Sequence, residues 1–120
     1  MIAAFISAFI NALAVSLALT ILLETTFFYL TGMRDKRDLA LLWLVNVLTN
    51  PLVVAVYWLM AARFNGNPYL IQISLESLAV LTEGKYYKKY GRGFTRPYLF
   101  AFGANAFSFG MGILLQRLLR

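Results

Sequence analysis

The sequence predicts an all-α integral membrane protein, with four transmembrane helices arranged as two parallel helix-hairpin repeats in a small bundle. Three observations predict it. The 120-residue chain is 61% hydrophobic and only 13% charged, outside the range of water-soluble domains. It holds four apolar stretches long enough to cross a hydrocarbon core of about 30 Å, which takes roughly 20 helical residues. Its first half also matches its second in one ungapped register, offset by the 59 residues that separate Glu24 from Glu83.

The spans are expected near Ile2–Leu30, Leu39–Ala61, Tyr69–Tyr87 and Tyr98–Leu118. Explicit breaks separate them. Thr31–Asp38 is polar and contains Gly32, Asn65-Gly66-Asn67-Pro68 is a turn cluster, and Lys88–Pro97 is basic with Gly91 and Gly93. Transmembrane β-strands would alternate polar and apolar residues, and Leu39–Val47 does not. The chain therefore reads as a single transmembrane domain over 1–120, with no soluble module or linker.

The repeat places residues 2–61 on residues 66–118. It sets Leu22 on Leu81, Glu24 on Glu83, Gly32 on Gly91, Arg37 on Arg96 and Asn46 on Asn105. Phe27 and Phe28 fall on Tyr86 and Tyr87, and Thr49 falls on Ser108. Leucine matches carry little in so apolar a chain, but a matched Glu, Gly, Arg and Asn carry more. Because each half holds two spans, the halves are expected to be related by an axis along the membrane normal.

Basic residues set the expected orientation. The turns after the first and third spans carry Arg34, Lys36, Arg37, Lys85, Lys88, Lys89, Arg92 and Arg96, eight of the eleven Lys and Arg. Both turns should face the cytoplasm and both termini the outside, in the cytoplasmic (inner) membrane. The opening Met1-Ile2-Ala3-Ala4 has no basic segment of the kind that begins a signal peptide. Tyr57, Trp58 and Tyr69 would mark the outer interface; Tyr29, Trp43, Tyr86, Tyr87, Tyr90 and Tyr98 would mark the inner one. Lys85-Tyr86-Tyr87-Lys88-Lys89-Tyr90 reads as a snorkelling and aromatic anchor to the bilayer. The net charge of +6 needs no nucleic-acid partner, since anionic lipid accounts for it.

The chain has no Cys and no His, which removes thiol chemistry, imidazole relays and the usual nitrogen or sulfur sites for zinc or copper. No cofactor is called for. A metal, if one binds, must be a hard cation held by oxygen, with Glu24 and Glu83 as the ligands.

The expected ion or ligand site consists of Glu24, Glu83, Asn46 and Asn105, with Glu76 and Asn50 as further members. Glu24 lies seven residues before Thr31 and Asn46 seven after Leu39, so both sit roughly 10 Å inside the cytoplasmic edge. Glu83 and Asn105 follow at similar depth by the repeat. Gln72, Glu76 and Glu83, spaced by four and seven, share one helix face that lipid would not tolerate. Asn46 and Asn50 are likewise one turn apart, and Pro51 should free the Val47 carbonyl to join the site.

Bland readings stand beside these. Asn50, Asn105, Ser108, Thr49, Ser16 and Thr20 can serve as interhelical glue at about 0.6 kcal/mol per bond. Carboxyls are expensive glue, and no intramembrane base neutralises three of them, so each must carry a proton or meet a cation. Ala106 and Gly110 form a small-xxx-small pair for close helix packing or dimerisation. Arg37 and Arg96 fix helix depth or fold inward to the carboxyls. Asp35 and Asp38 read as a solvated loop.

The leading functional expectation is a small polytopic transporter or channel that handles a hard cation or protons through the Glu/Asn cluster. The alternative is a membrane-embedded scaffold or accessory subunit whose polar residues specify packing and partner binding. A third is an intramembrane carboxylate-dependent enzyme using Glu24 and Glu83 as acid and base. So short a chain is expected to enclose little space, and a larger cavity would need a homodimer or a larger membrane complex. Partners are then the lipid bilayer and a cation or proton substrate.

Overall fold

The computed structural model describes residues 1–63 and 67–119 and is all-helical. Four helices follow in order: α1 (Ile2–Leu30), α2 (Lys36–Arg63), α3 (Pro68–Tyr90) and α4 (Pro97–Leu118). The expected turn residues Asn65 and Gly66 lie outside the described residues. Asn67 and Pro68 start α3 as a capping pair: the Asn67 side chain accepts the Tyr69 N–H and Pro68 takes the first helical position.

Three helices, α1, α2 and α4, are long and apolar enough to cross a membrane. The 23-residue α3 is less apolar, because Gln72, Glu76 and Glu83 interrupt it. Burial is inverted relative to a water-soluble bundle. Among the described residues six polar side chains are buried beside eight apolar ones, while Ile6, Val15, Leu22, Leu52, Leu78 and Phe102 are exposed. Lipid, not water, suits that surface.

Each helix packs on its sequence neighbours, and α1 packs on α4, closing a ring in which α1 and α3 are diagonal. The bundle is 46 Å long. One end carries the turns 31–35 and 91–96 and most of the basic residues; the other carries the chain termini. These are the basic end and the terminal end.

The two turns at the basic end differ. After α1, Gly32 takes φ +92°, its N–H donates to the Tyr29 carbonyl, and the Met33 N–H donates to that of Phe28. This paired closure needs a left-handed residue, which glycine supplies without strain. Its sequence counterpart Gly91 has φ −78° and is extended. There glycine serves close approach instead, since an added Cβ would collide with the Phe94 ring and the Tyr87 carbonyl. Matched residues thus do different work.

Asp35 is a half-exposed loop residue, as expected, but Asp38 is not solvated. Asp35 Oδ1 accepts the Arg37 N–H at 2.8 Å at the start of α2. Asp38 is 1% exposed, in the first turn of α2, and its two oxygens accept the N–H groups of Arg92 and Gly93 at 2.8 and 2.7 Å. Carboxylate bonds to backbone N–H are charge-assisted and strong. They clamp the α3–α4 turn onto α2. Arg37 and Arg96 are exposed and stay at the helix starts.

Close packing of α4 uses Gly103, against the Phe27 ring at 2.8 Å from an added Cβ. The expected pair Ala106 and Gly110 is exposed, and nothing lies within 4 Å of a Cβ on Gly110. That stripe is not a packing seam within this chain. Pro51 lies inside α2 without ending it. Val47, whose carbonyl it frees, is 48% exposed and points away from the bundle interior, so that carbonyl does not join the site.

Candidate functional site

The interior changes character along the bundle axis. Toward the basic end, Phe28, Leu42, Val45, Tyr87 and Ala101 are buried together, with Phe94 and Phe100 packed against them. The Tyr87 and Phe94 rings stack at 4.4 Å between centroids, and Phe100 meets Phe94 edge-on at 4.9 Å. The Asp38 clamp holds the turn from which Phe94 projects. This is a dry plug. Tyr87, expected at the membrane interface, is 1% exposed and belongs to it, while Tyr86 and Tyr90 stack with each other on the surface.

One helical turn from Phe28 and Tyr87, toward the terminal end, sit Glu24 and Glu83. Both are buried, at 0% and 1% exposure. Asn46 Nδ2 donates to Glu24 Oε1 at 3.1 Å and to the Leu42 carbonyl at 2.8 Å. Asn105 Nδ2 donates to Glu83 Oε1 at 3.1 Å and to the Ala101 carbonyl at 2.8 Å. Each carboxamide thus spends one hydrogen on its own helix and one on a carboxyl, which fixes its rotamer. The four leading site residues are brought together in two like pairs.

A fifth member joins the pairs. Thr49, one turn beyond Asn46 on α2, has its hydroxyl 3.1 Å from Glu83 Oε2 and 3.0 Å from the Val45 carbonyl. A hydroxyl has one hydrogen and two lone pairs. Both contacts are filled together when Glu83 Oε2 carries a proton and donates it to Thr49 Oγ1, while Thr49 donates to Val45. With Glu83 ionised, the Thr49 hydrogen turns to the carboxylate and leaves Val45. Through Asn46 and Thr49, α2 therefore links carboxyls on two diagonal helices.

The two carboxyls are not equivalent. Glu24 Oε2 is buried with no hydrogen-bond partner, as is the Tyr87 hydroxyl. The sequence counterpart of Thr49 is Ser108, which lines the same cavity as Thr49 but makes no hydrogen bond to Glu24 Oε2. Glu83 also lines that cavity, and Glu24 lies behind it.

The cavity occupies the terminal half of the bundle and has a volume of about 790 Å³. Its walls include Ser16, Thr20, Asn50, Gln72, Glu76 and Ser108, with Tyr57, Tyr69 and Arg117 toward the terminal end and Glu83, Asn46, Thr49 and Asn105 at the deep end. A partly open volume of this size lies within a single copy, more space than is expected of so short a chain. Four helices alone leave it, because the polar side chains lining it are short and the plug holds the helices together below. Asn50 donates to Thr20 Oγ1 at 3.2 Å, tying α1 to α2, while its Oδ1 is buried without a partner. Glu76 accepts from Gln72 at 2.9 Å within α3. Asn50 and Glu76 therefore belong to the cavity wall and not to the Glu24–Glu83 network.

Sequence reasoning undervalued Thr49, Asp38 and Tyr87. The spacing of Thr49 to Asn46 and its match to Ser108 pointed to it. Nothing local singled out Asp38, whose partners lie 54 and 55 residues away.

No protein-family model, curated protein or solved structure matches this chain. Function must be read from the chemistry of the site itself.

Proposed function

We propose that this chain is a small membrane transporter that admits a cation or proton to the terminal-end cavity and exchanges it at the Glu24–Asn46–Thr49–Glu83–Asn105 network. The observation that carries this reading is a polar cavity of about 790 Å³ ending on a buried carboxyl, within a bundle whose outer surface is apolar. Acidic groups inside membrane helices are costly and are kept where they serve ion or proton pathways. The network has no Lys or Arg, so neutrality comes from a proton or a cation. Thr49 adjusts to either, as its single hydrogen serves Val45 in one state and Glu83 in the other. The plug closes the far side, and its opening would complete the passage.

In this reading α3 crosses the membrane with its polar face turned inward, giving four transmembrane helices. The two hairpins are tandem repeats in the 59-residue register, supported by the like Asn–Glu bonds 22 residues apart in each half. The basic end faces the cytoplasm, both termini lie outside, and the cavity opens outward.

Reconstitution into liposomes tests the proposal. Cation uptake coupled to proton movement is expected from the parent, with a loss of at least tenfold in Glu83→Gln. If Glu24→Gln, Glu76→Gln and Glu83→Gln all match the parent in flux and in ion-induced stabilisation, the carboxyls are structural and the scaffold reading takes over. Cysteine labelling tests the orientation: residue 93 reacting from outside, with residue 67 protected, would reverse it.

A further inference from the structure

The cavity is larger than an inorganic ion requires. Resting on its reading as a substrate site, we infer that it takes a small organic ammonium ion, whose N–H donors sit on Glu83 and whose aliphatic body lies along Val53, Phe109 and Ile113. Three features point there.

The first is size. Small-molecule sites occupy roughly 300–1,000 Å³, and about 790 Å³ falls within that range. A dehydrated hard cation instead wants six or more oxygens at about 2.0–2.6 Å. Among the described residues no three acidic side chains converge as such a cage. Both Glu83 oxygens are already engaged by Asn105 and Thr49, yet each keeps a lone pair for an N–H donor.

The second is the balance of donors and acceptors. The deep end and the wall offer the Glu83 and Glu76 carboxyls and Asn50 Oδ1, which has no partner. At the deep end the donor hydrogens are committed: Asn105 and Asn46 each spend both amide hydrogens on a carboxyl and on their own helix, and Thr49 has one hydrogen for Val45 or Glu83. Beside Glu83 no amide or hydroxyl hydrogen of these residues is left over while the carboxyl keeps lone pairs, which suits a ligand that donates. Among the described residues the one basic lining residue, Arg117, is in the last turn of α4 at the terminal end.

The third is the apolar share of the lining. Leu19, Val53, Phe109 and Ile113 supply apolar surface, and Tyr57 and Phe109 supply ring faces that attract a cation. An inorganic ion would make no use of these. An alkylammonium uses both kinds of lining.

The test is binding to the purified full-length chain in lipid nanodiscs, read by calorimetry and by unfolding temperature. The probes are butylammonium, its neutral isostere 1-butanol, Na⁺ and Mg²⁺. Butylammonium is expected to bind at least tenfold more tightly than 1-butanol, and Glu83→Gln should erase that preference. Gly112→Leu supplies an independent check, because Gly112 lines the cavity with nothing within 4 Å of an added Cβ. It should fold normally and weaken butylammonium at least tenfold by filling the space. Equal binding of butylammonium and 1-butanol would overturn the proposal. So would Glu83-dependent binding of Na⁺ or Mg²⁺ without butylammonium, an outcome that leaves cation transport standing and removes only the organic substrate. If no cation binds and none is transported, both readings fall together.

Discussion

At the terminal end the four helices part around a cavity of about 790 Å³ walled by Ser, Thr, Asn, Gln and Glu; at the basic end the same helices close on Phe28, Tyr87, Phe94 and Phe100. Glu24 and Glu83 lie on the border, with the wet half on one side and the dry half on the other. The difference comes from side-chain volume. Where aromatic rings fill the interior, the helices are held by packing, and the space left at that end is a separate hollow of about 580 Å³ beside the turns, lined by Arg34, Asp38, Phe94 and Phe100. Where short polar side chains line it, bonds such as Asn50 to Thr20 hold neighbouring helices while the centre stays open. One half thus supplies rigidity and the other access, as the transport proposed above would require.

The largest expected effect breaks the dry half. Phe28 is fully buried, so Phe28→Ala removes an entire ring and leaves a cavity beneath Glu24. A loss of about 3–5 kcal/mol in reversible unfolding in detergent is expected. A loss below 1 kcal/mol would mean that the plug is not packed as described.

Next comes the clamp that holds the plug shut. Asp38→Ala leaves the Arg92 and Gly93 N–H groups without their carboxylate, at a cost of about 2–3 kcal/mol. It should also admit thiol reagent from the basic end to a cysteine placed at Val45, which the parent protects. Lower stability with unchanged protection would show that the clamp braces the turn without closing the passage.

The smallest effect sharpens the contrast between the two carboxyls. Thr49 reaches Glu83 Oε2, whereas Glu24 Oε2 has no partner and Ser108 stands where the register would place a second threonine. The methyl of a threonine restricts its hydroxyl to fewer rotamers. Ser108→Thr is therefore expected to supply the missing donor and to raise stability by about 0.5–1 kcal/mol, measured as a midpoint shift. Thr49→Ser should do the opposite at Glu83. If both changes are neutral, the asymmetry has no energetic basis in these hydroxyls.

Much of the site was legible because membrane burial makes polar residues conspicuous. Glu24, Glu83, Asn46 and Asn105 stood out as isolated polar positions in apolar runs, and a shared register paired them before any geometry was known. Asp38 was misread for the converse reason. It sits among Arg34, Lys36 and Arg37 in a stretch that looks like any solvated turn, and only the approach of residues 92 and 93 buries it. Tyr87 was misread as an interfacial aromatic because Lys85, Lys88 and Lys89 surround it, although its own helix face turns inward over Glu83.

The sequence by itself determined the four helices, the polar face of α3 and the identity of the buried carboxyls. These follow from local hydropathy, from turn residues and from the spacing of side chains on one helix. Only the tertiary structure decided that Glu24 is sealed while Glu83 opens to a cavity, that Thr49 bridges to the diagonal helix, and that Asp38 is buried under the α3–α4 turn. Such features depend on which helices meet and at what height. Contacts across 22 to 55 residues of chain set them, and no local pattern encodes those contacts.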